Sequence, residues 1–260
     1  MFDCRIEHPL PIFVAMLALP VASMAVAQSE SAEPAPQLAG TIEEVIVTAR
    51  RREESVQDVP ISISALTGPD LRLQQIYRAD QLTTIVPNLE FDATAPSSGS
   101  SSVGQIFIRG VGQTDFTPVT DPGVAIYLDG IYLARAPGNV LDLVNVARIE
   151  VLRGPQGTLF GRNAIGGAIS IHTRRPETNW SGGTLEARIG TDALRELTFN
   201  WNQALNQDYA VNTTLYRELQ DGYVTRVSDG IKTGDRDRWG FRAALDGQLS
   251  PDVNLFLVAD

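Results

Sequence analysis

The last third of the chain alternates apolar and polar residues with a period of two. Five runs carry this alternation: "GTLEARIG", "ELTFNWNQ", "YAVNTTLY", "RWGFRAALDG" and "DVNLFLVAD". A period of two predicts β-strands with one apolar face and one face of charged and amide side chains. The connections after the second and fourth runs are short, whereas the link from Arg217 to Asp237 is long and polar. Short turns on one side and long loops on the other are typical of a transmembrane β-barrel, with a soluble antiparallel sheet as the alternative.

Residues 54–175 have a different pattern, which predicts a compact domain of mixed α and β structure. The runs "PISISAL", "QIFIRGVG" and "GGAISIHT" are strand-like. The run "GVAIYLDGIYLAR" predicts a hairpin, because Asp129 and Gly130 suit the positive φ angles of a type I′ turn. Strands and short helices in one compact stretch indicate an α+β domain.

Three short helices are predicted in the same domain. The run "TGPDLRLQQIY" predicts a helix that begins at Thr67 or Asp70, since both residue types favour the first position of a helix. The run "ADQLTTIVPNL" predicts a second helix that stops near Pro87. The run "VLDLVNVARIEVLRG" predicts a short helix followed by a strand from Arg148 to Leu152.

The amino-terminal residues predict export. Residues 1–27 have the form of a secretory signal peptide, because "PLPIFVAMLALPVASMAVA" is apolar and ends in a small-x-small cleavage site. The alternatives are a membrane anchor or a wrongly assigned start codon. Residues 28–53 begin as a polar, proline-containing, flexible segment, "QSESAEPAPQLAG". They continue into "TIEEVIVTARR", whose short β-forming core would serve either as an edge strand or as a peptide that pairs with another protein.

Charge and composition exclude several classes of function. The net charge is −10, whereas nucleic-acid binding requires clustered Lys and Arg, so no nucleic-acid partner is expected. One cysteine and two histidines are too few for an ordinary transition-metal site, and we expect neither a metal nor a cofactor. The chain lacks the G-x-S-x-G and H-E-x-x-H motifs of common hydrolases, and we expect no enzyme activity.

The stretch "VLRGPQGTLFGRNAIGGAISI" is rich in glycine without matching a phosphate-binding motif. It lacks the Lys and Ser/Thr of a P-loop and the spacing of a dinucleotide fingerprint. Its glycines are therefore expected to serve tight turns and close approaches of the backbone. This structural role is predicted for Gly154, Gly157, Gly161, Gly166 and Gly167 of this stretch, and also for Gly110 of "QIFIRGVG".

Several motifs together resemble one family. "EEVIVTA", "DVPISISAL", "IFIRGVG", "AIYLDGIYL" and "RIEVLRGPQGTLFGRNAIGGAISIHTRRP" occur in the order found in TonB-dependent outer-membrane receptors. The resemblance covers roughly residue 42 to the carboxyl terminus, and the last motif is highly specific. It implies a globular plug domain (54–175) inside a barrel of about 22 strands. The fold class expected is thus an α+β plug followed by the first antiparallel strands of a transmembrane β-barrel (176–260).

The resemblance also implies roles for particular residues. An extended peptide that pairs with the periplasmic protein TonB, the TonB box, is implied for Glu44, Val45, Ile46, Val47, Thr48 and Ala49. Contacts between plug and barrel are implied for Arg109, Arg153 and Glu150. Arginine is suited to such contacts because it stays charged and binds a carboxylate through two donors.

The implied activity is uptake of a scarce extracellular ligand across the outer membrane of a Gram-negative cell, with the plug facing the periplasm. Ferric siderophores are the commonest ligands of the family, and cobalamin, carbohydrates and aromatic compounds are the alternatives. The partners implied are TonB, membrane lipid and the small-molecule ligand. The plug loops 92–104 and 113–121 would face that ligand.

The number of strands predicted is too small for a closed barrel. The 85 residues from Pro176 to Asp260 provide about five strands of ~10 residues. An open sheet edge in lipid leaves backbone groups unpaired, so we expect these 260 residues to be a fragment. The rival interpretation is a secreted, soluble, β-rich binding module, which would require residues 176–260 to pack as a finished sheet in water.

Overall fold

The computed structural model describes residues 45–48, 52, 54–93, 104–114, 120–134 and 143–260. The predicted signal peptide and most of the segment 28–53 lie outside these residues. So do most of the two loops predicted to face the ligand. The first described element is a short antiparallel pair of strands, β1 (Ile46–Val47) and β2 (Glu54–Ser55).

Eight further strands form two sheets in the plug region. They are β3 (Ile63–Thr67), β4 (Leu89–Asp92), β5 (Gln105–Ile108), β6 (Val111–Gln113), β7 (Val124–Leu128), β8 (Ile131–Leu133), β9 (Val146–Arg153) and β10 (Gly167–Thr173). The larger sheet has the order β3-β9-β10-β7-β8, and the smaller has the order β4-β5-β6. Within the larger sheet β10 and β7 run parallel and the other pairs run antiparallel. The predicted hairpin is confirmed, since both Asp129 and Gly130 have positive φ at the β7–β8 turn.

The helices are short, and their starts follow local side-chain chemistry. Helix α1 (Gly68–Leu73) begins after Thr67, whose hydroxyl accepts from the Asp70 N–H while the Asp70 carboxylate accepts from the Thr67 N–H. This reciprocal pair is a capping box, and it resolves the predicted choice in favour of Thr67. A 3₁₀ helix (Ala79–Thr84) occupies the second predicted position, and α2 (Gly157–Phe160) is a single turn.

The third predicted helix is wrong over the part that is described. Val144 and Asn145 form a turn, and β9 starts at Val146, two residues earlier than expected. Asn145 ends the turn with a φ of +56°, a left-handed conformation that asparagine tolerates better than most residues. The valine that follows then favours an extended strand.

Strand β9 is buried on both faces and divides the apolar interior into two clusters. Ile149 and Val151 face a cluster that includes α1, the 3₁₀ helix and the smaller sheet. Leu152 faces the second cluster, which contains Val47 of β1 together with Val59, Ala125, Tyr127, Phe160, Ala164 and Ala168. Alternation along the strand places Glu150 on the same face as Leu152. A charged residue therefore lies at the centre of the plug, beside β1.

The five alternating runs at the end of the chain form one antiparallel sheet, called here the wall. Its strands are β11 (Gly182–Ile189), β12 (Arg195–Ala204), β13 (Tyr209–Gln220), β16 (Arg236–Ser250) and β17 (Val253–Ala259), paired in chain order. The polar link between the third and fourth runs is shorter than predicted, because β13 continues to Gln220 and β16 already begins at Arg236. Between them lies a small hairpin of β14 (Val224–Thr225) and β15 (Lys232–Thr233).

The wall buries polar residues and exposes apolar ones. On the outer face Ile189 is 89% exposed and Trp239 is 79% exposed. On the inner face, towards the plug, Asn212 is 5% exposed and Glu218 is 2% exposed. A sheet finished in water has the opposite pattern, whereas a barrel wall is apolar towards lipid and polar towards its lumen. The alternating runs are thus confirmed as strands, and their burial contradicts the soluble-module interpretation.

None of the helices in the described part of the chain is long and apolar enough to cross a membrane.

Candidate functional site

The segment predicted to be the TonB box is docked on the plug. Of its six residues, Val45 to Thr48 are described, and Glu44 and Ala49 lie outside the described residues. One edge of the segment pairs with β2, with the Val56 N–H donating to the Val45 carbonyl at 2.9 Å. Ile46 is 41% exposed, whereas Val47 is fully buried among the apolar side chains of the second cluster.

Thr48 connects the segment to the centre of the plug through Glu150. The Thr48 N–H donates to Glu150 Oε1 at 2.8 Å, and its hydroxyl donates to the same oxygen at 3.1 Å. Glu150 is fully buried. Hydrogen bonds to a carboxylate are stronger than neutral ones, so this contact is a specific attachment rather than a loose approach.

Two basic side chains complete this cluster. Arg148 Nε donates to Glu150 Oε1 at 2.8 Å, and Arg148 Nη2 donates to the Thr48 hydroxyl at 3.1 Å. His172 Nε2 lies 3.5 Å from Glu150 Oε1 and 3.0 Å from the Ser170 hydroxyl. Burial lowers the pKa of His172 below its ordinary 6.5, and the charge of Arg148 lowers it further. The imidazole is therefore neutral at neutral pH, and Arg148 supplies the compensating charge for Glu150.

The three residues predicted to contact the barrel lie in different surroundings. Arg109 is exposed at the β5–β6 turn, with a φ of +54°. Arg153 Nη1 donates to the Pro87 carbonyl at 3.4 Å. Within the described part of the chain, neither arginine forms an ion pair, so the predicted acidic partners on the wall stay a prediction. Glu150 bonds to Thr48 and Arg148, both outside the wall.

A polar contact that the sequence interpretation missed joins the plug to the wall. Asp129, at the β7–β8 turn, accepts from Arg242 Nη2 of β16, and both side chains are nearly buried. Asp129 also accepts from the N–H and the hydroxyl of Thr173, each at 2.8 Å. Here the acid belongs to the plug and the arginine to the wall, opposite to the predicted arrangement for Arg109 and Arg153. The only indication of this contact in the sequence was Arg242, an arginine at a polar position of the fourth alternating run.

Amide and aromatic side chains form two further contacts between plug and wall. Asn145 Nδ2 donates to Asn212 Oδ1 at 2.9 Å and to the Thr214 hydroxyl at 3.2 Å. The guanidinium of Arg188 lies 3.5 Å from the ring centre of Tyr77, a cation–π geometry. A cavity of about 480 Å³ with many charged and amide side chains in its lining lies beside these contacts. The inner face of the wall is thus adapted to polar contact with the plug.

The glycines singled out from the sequence differ in what the backbone requires of them. Positive φ angles, between +76° and +106°, occur at Gly110, Gly154 and Gly161. At Gly166 and Gly167 an added Cβ would lie 2.5 Å and 2.2 Å from the carbonyl oxygens of Val111 and Leu152. Those two positions have no room for a side chain, because Cβ atoms do not approach oxygen so closely. Gly157 has neither feature.

Among the described residues no group of three or more His, Cys, Asp or Glu side chains is arranged to hold a metal ion.

Comparison with known proteins identifies the plug and its relatives. Residues 55–168 match the family model of the TonB-dependent Receptor Plug Domain. The pesticin receptor of Yersinia pestis is 28% identical over 213 residues, covering 80% of this chain and 30% of that protein. The vitamin B12 transporter BtuB of Vibrio cholerae is 30% identical over 206 residues, covering 77% and 31% respectively. This chain therefore spans about a third of the length of these curated relatives.

A solved structure extends the likeness to the wall. The ferric yersiniabactin uptake receptor FyuA from Yersinia pestis matches with a TM-score of 0.63 at 25% identity, covering 72% of this chain and 29% of that one. The matched share exceeds the plug alone, so strands of the wall belong to the common fold. The chain is therefore a member of the TonB-dependent outer-membrane receptors, of which it carries the plug domain and antiparallel strands of an incomplete barrel.

Proposed function

We propose that this chain is part of a transporter that takes up a scarce ligand across the outer membrane of a Gram-negative cell. The observation that carries the proposal is the inverted burial of the wall, apolar outside and polar towards a plug that matches the receptor family. This distribution of side chains is the one a barrel wall has, with lipid on its outer face and a polar interior. The predicted signal peptide (1–27) supports export, and the plug is proposed to face the periplasm.

TonB is the proposed energy-coupling partner. The segment 44–49 contains β-forming residues, and an extended peptide of this kind pairs with a partner strand through backbone hydrogen bonds. Ile46 has 41% of its surface exposed in the docked state, which offers a first contact. Pulling on this segment would move the plug and open a path for the ligand.

A ferric siderophore is the proposed ligand class. FyuA is named as a ferric yersiniabactin uptake receptor, and it matches this chain in fold. Cobalamin is the second candidate, because the named vitamin B12 transporter of Vibrio cholerae has a similar identity over a similar span. The two classes differ in charge and size, so competition between them is straightforward to measure.

The decisive variant is Ile46→Pro in cells that carry the receptor. Proline removes the N–H donor of residue 46 and prevents regular strand pairing. We expect energised uptake to be abolished while binding of ligand at the cell surface is retained. Val45→Ile is the matched control, because it preserves both the backbone donor and the β-forming character.

Uptake of radiolabelled iron delivered by siderophores and of radiolabelled cobalamin would be compared in both variants. Loss of uptake in Ile46→Pro for one ligand class identifies that class. Normal uptake of every ligand by Ile46→Pro would contradict the assignment of residues 44–49 as the TonB box.

A further inference from the structure

The backbone N–H of Thr48 lies on the edge of the docked segment that does not pair with β2. Successive N–H groups of an extended strand point to opposite edges. The edge that contains the Val45 carbonyl faces β2, while the Thr48 N–H faces Glu150. A strand arriving to pair with residues 45–48 must therefore displace either β2 or the Glu150 carboxylate.

The contact with Thr48 also supplies most of the hydrogen bonds of the buried Glu150 carboxylate. Of the hydrogen bonds to Oε1, two come from Thr48 and one from Arg148. The other oxygen, Oε2, is buried without a hydrogen-bond partner among the described residues. A buried carboxylate is stable only when it is paired and hydrogen-bonded. Undocking of the segment would leave Glu150 with Arg148 and His172 as its only polar neighbours in this cluster.

We propose that Glu150 is a positioning residue that fastens the TonB box to the plug through Thr48. The inference rests on the proposed function, because it takes residues 44–49 as the TonB box. It assigns Glu150 a role different from the plug–barrel contact implied by family resemblance. Since β9 is an inner strand of the larger sheet, a pull on the docked box reaches that sheet through the Thr48–Glu150 contact.

The test measures how often the box leaves the plug. Val47→Cys introduces a thiol of similar size at a fully buried position, so a maleimide reacts only when the box undocks. The protein is used in outer-membrane preparations with Cys4→Ser as background. In the presence of Glu150→Gln we expect labelling about ten-fold faster, because a charge-assisted hydrogen bond becomes a neutral one. Thr48→Val retains the backbone donor and is expected to have a smaller effect, about three-fold.

Two controls separate release of the box from general loosening. Glu196→Gln removes a carboxylate that pairs with Arg188 in the wall, and it should leave the labelling rate at residue 47 unchanged. Ala168→Cys, fully buried in β10, reports opening of the whole plug. Faster labelling at residue 47 with no change at residue 168 supports the proposal.

An unchanged rate at residue 47 in Glu150→Gln would overturn the proposal. So would equal acceleration at residues 47 and 168, because Glu150 would then support the plug as a whole. The labelling does not involve TonB, so its outcome is independent of uptake. Failure of the TonB-box assignment would appear instead as normal uptake by Ile46→Pro.

Discussion

The plug and the wall bury opposite kinds of side chain, although they are consecutive in one chain. The plug encloses Ile149, Val151 and Leu152 in its interior, as a water-soluble domain does. The wall turns Asn212 and Glu218 inward and leaves Trp239 outward. The same strand geometry serves both, because alternation only separates two faces and does not determine which face meets water. The surroundings of each region decide which face meets water. The contrast between plug and wall therefore predicts that substitutions in the two regions have effects of different size.

The largest effect is expected from truncation in the plug interior. Leu152→Ala, at a fully buried position, should lower the free energy of unfolding by about 2–5 kcal/mol, because it leaves a cavity among packed side chains. The matched variant Leu215→Ala, on the outer face of the wall, should cost clearly less, since lipid or detergent fills the space. Pulse proteolysis in urea would report the plug, and tryptophan fluorescence would report the wall, which contains Trp201 and Trp239. Equal losses would contradict the contrast between the two regions.

A charge on the outer face of the wall tests the lipid assignment directly. Phe199 lies near the middle of β12 and stacks on Trp201 on that face. Phe199→Arg should destabilise the wall in a bilayer by about 2–4 kcal/mol, the range for arginine at the membrane midplane. Phe199→Leu is the control and should be nearly neutral. The measurement is folding into lipid vesicles across a urea series. If Phe199→Arg folded as well as Phe199→Leu, the outer face would not meet lipid.

The strands of both regions could be predicted from the sequence, because alternation and turn residues act locally. The capping box at Thr67 and the turn at Asp129 and Gly130 were visible for the same reason. The contact between Asp129 and Arg242 was not, since it joins residues 113 positions apart through the register of two sheets. A positively charged residue on the polar face of a strand predicts an acidic partner, but the sequence does not show which residue that partner is.

The position of the candidate site in the sequence could be predicted, but the contacts of its residues could not. The motif located residues 44–49, and β propensity predicted an extended backbone. That Val47 enters the plug interior and that Thr48 bonds to Glu150 depend on tertiary packing across about a hundred residues. The plug–barrel contact implied for Glu150 stays a prediction, whereas its bonds to Thr48 and Arg148 are seen only in the folded chain.

An intermediate effect is expected where the two regions meet. In a double-mutant cycle of Asp129→Asn and Arg242→Ala, we expect a coupling energy of about 1–3 kcal/mol, because the pair is nearly buried. Each single change should also loosen the plug from the wall, because it removes the ion pair that joins Asp129 to Arg242. In Asp129→Asn the guanidinium keeps Asp260 as a partner, so we expect the larger loss in Arg242→Ala, which leaves the Asp129 carboxylate without an ion pair. The cycle would be measured by urea-dependent release of the plug to protease. Additive effects would indicate that the contact does not couple plug and wall.

The smallest effect is expected from pH. In the folded plug the pKa of His172 lies below 6.5, first because of burial and then because of Arg148, while Glu150 and Asp129 oppose this shift. The unfolded chain therefore binds more protons than the folded one as the pH falls through and below 6.5. The contribution of His172 to stability is complete above that pH and declines as the pH falls. Urea midpoints of the plug, compared at about pH 7.5 and about pH 5.5, should decrease on acidification, and the decrease should be smaller in His172→Gln. Since the wall contains no histidine, its tryptophan-monitored midpoint should change less over the same interval, and an equal change in both regions would contradict a His172 origin.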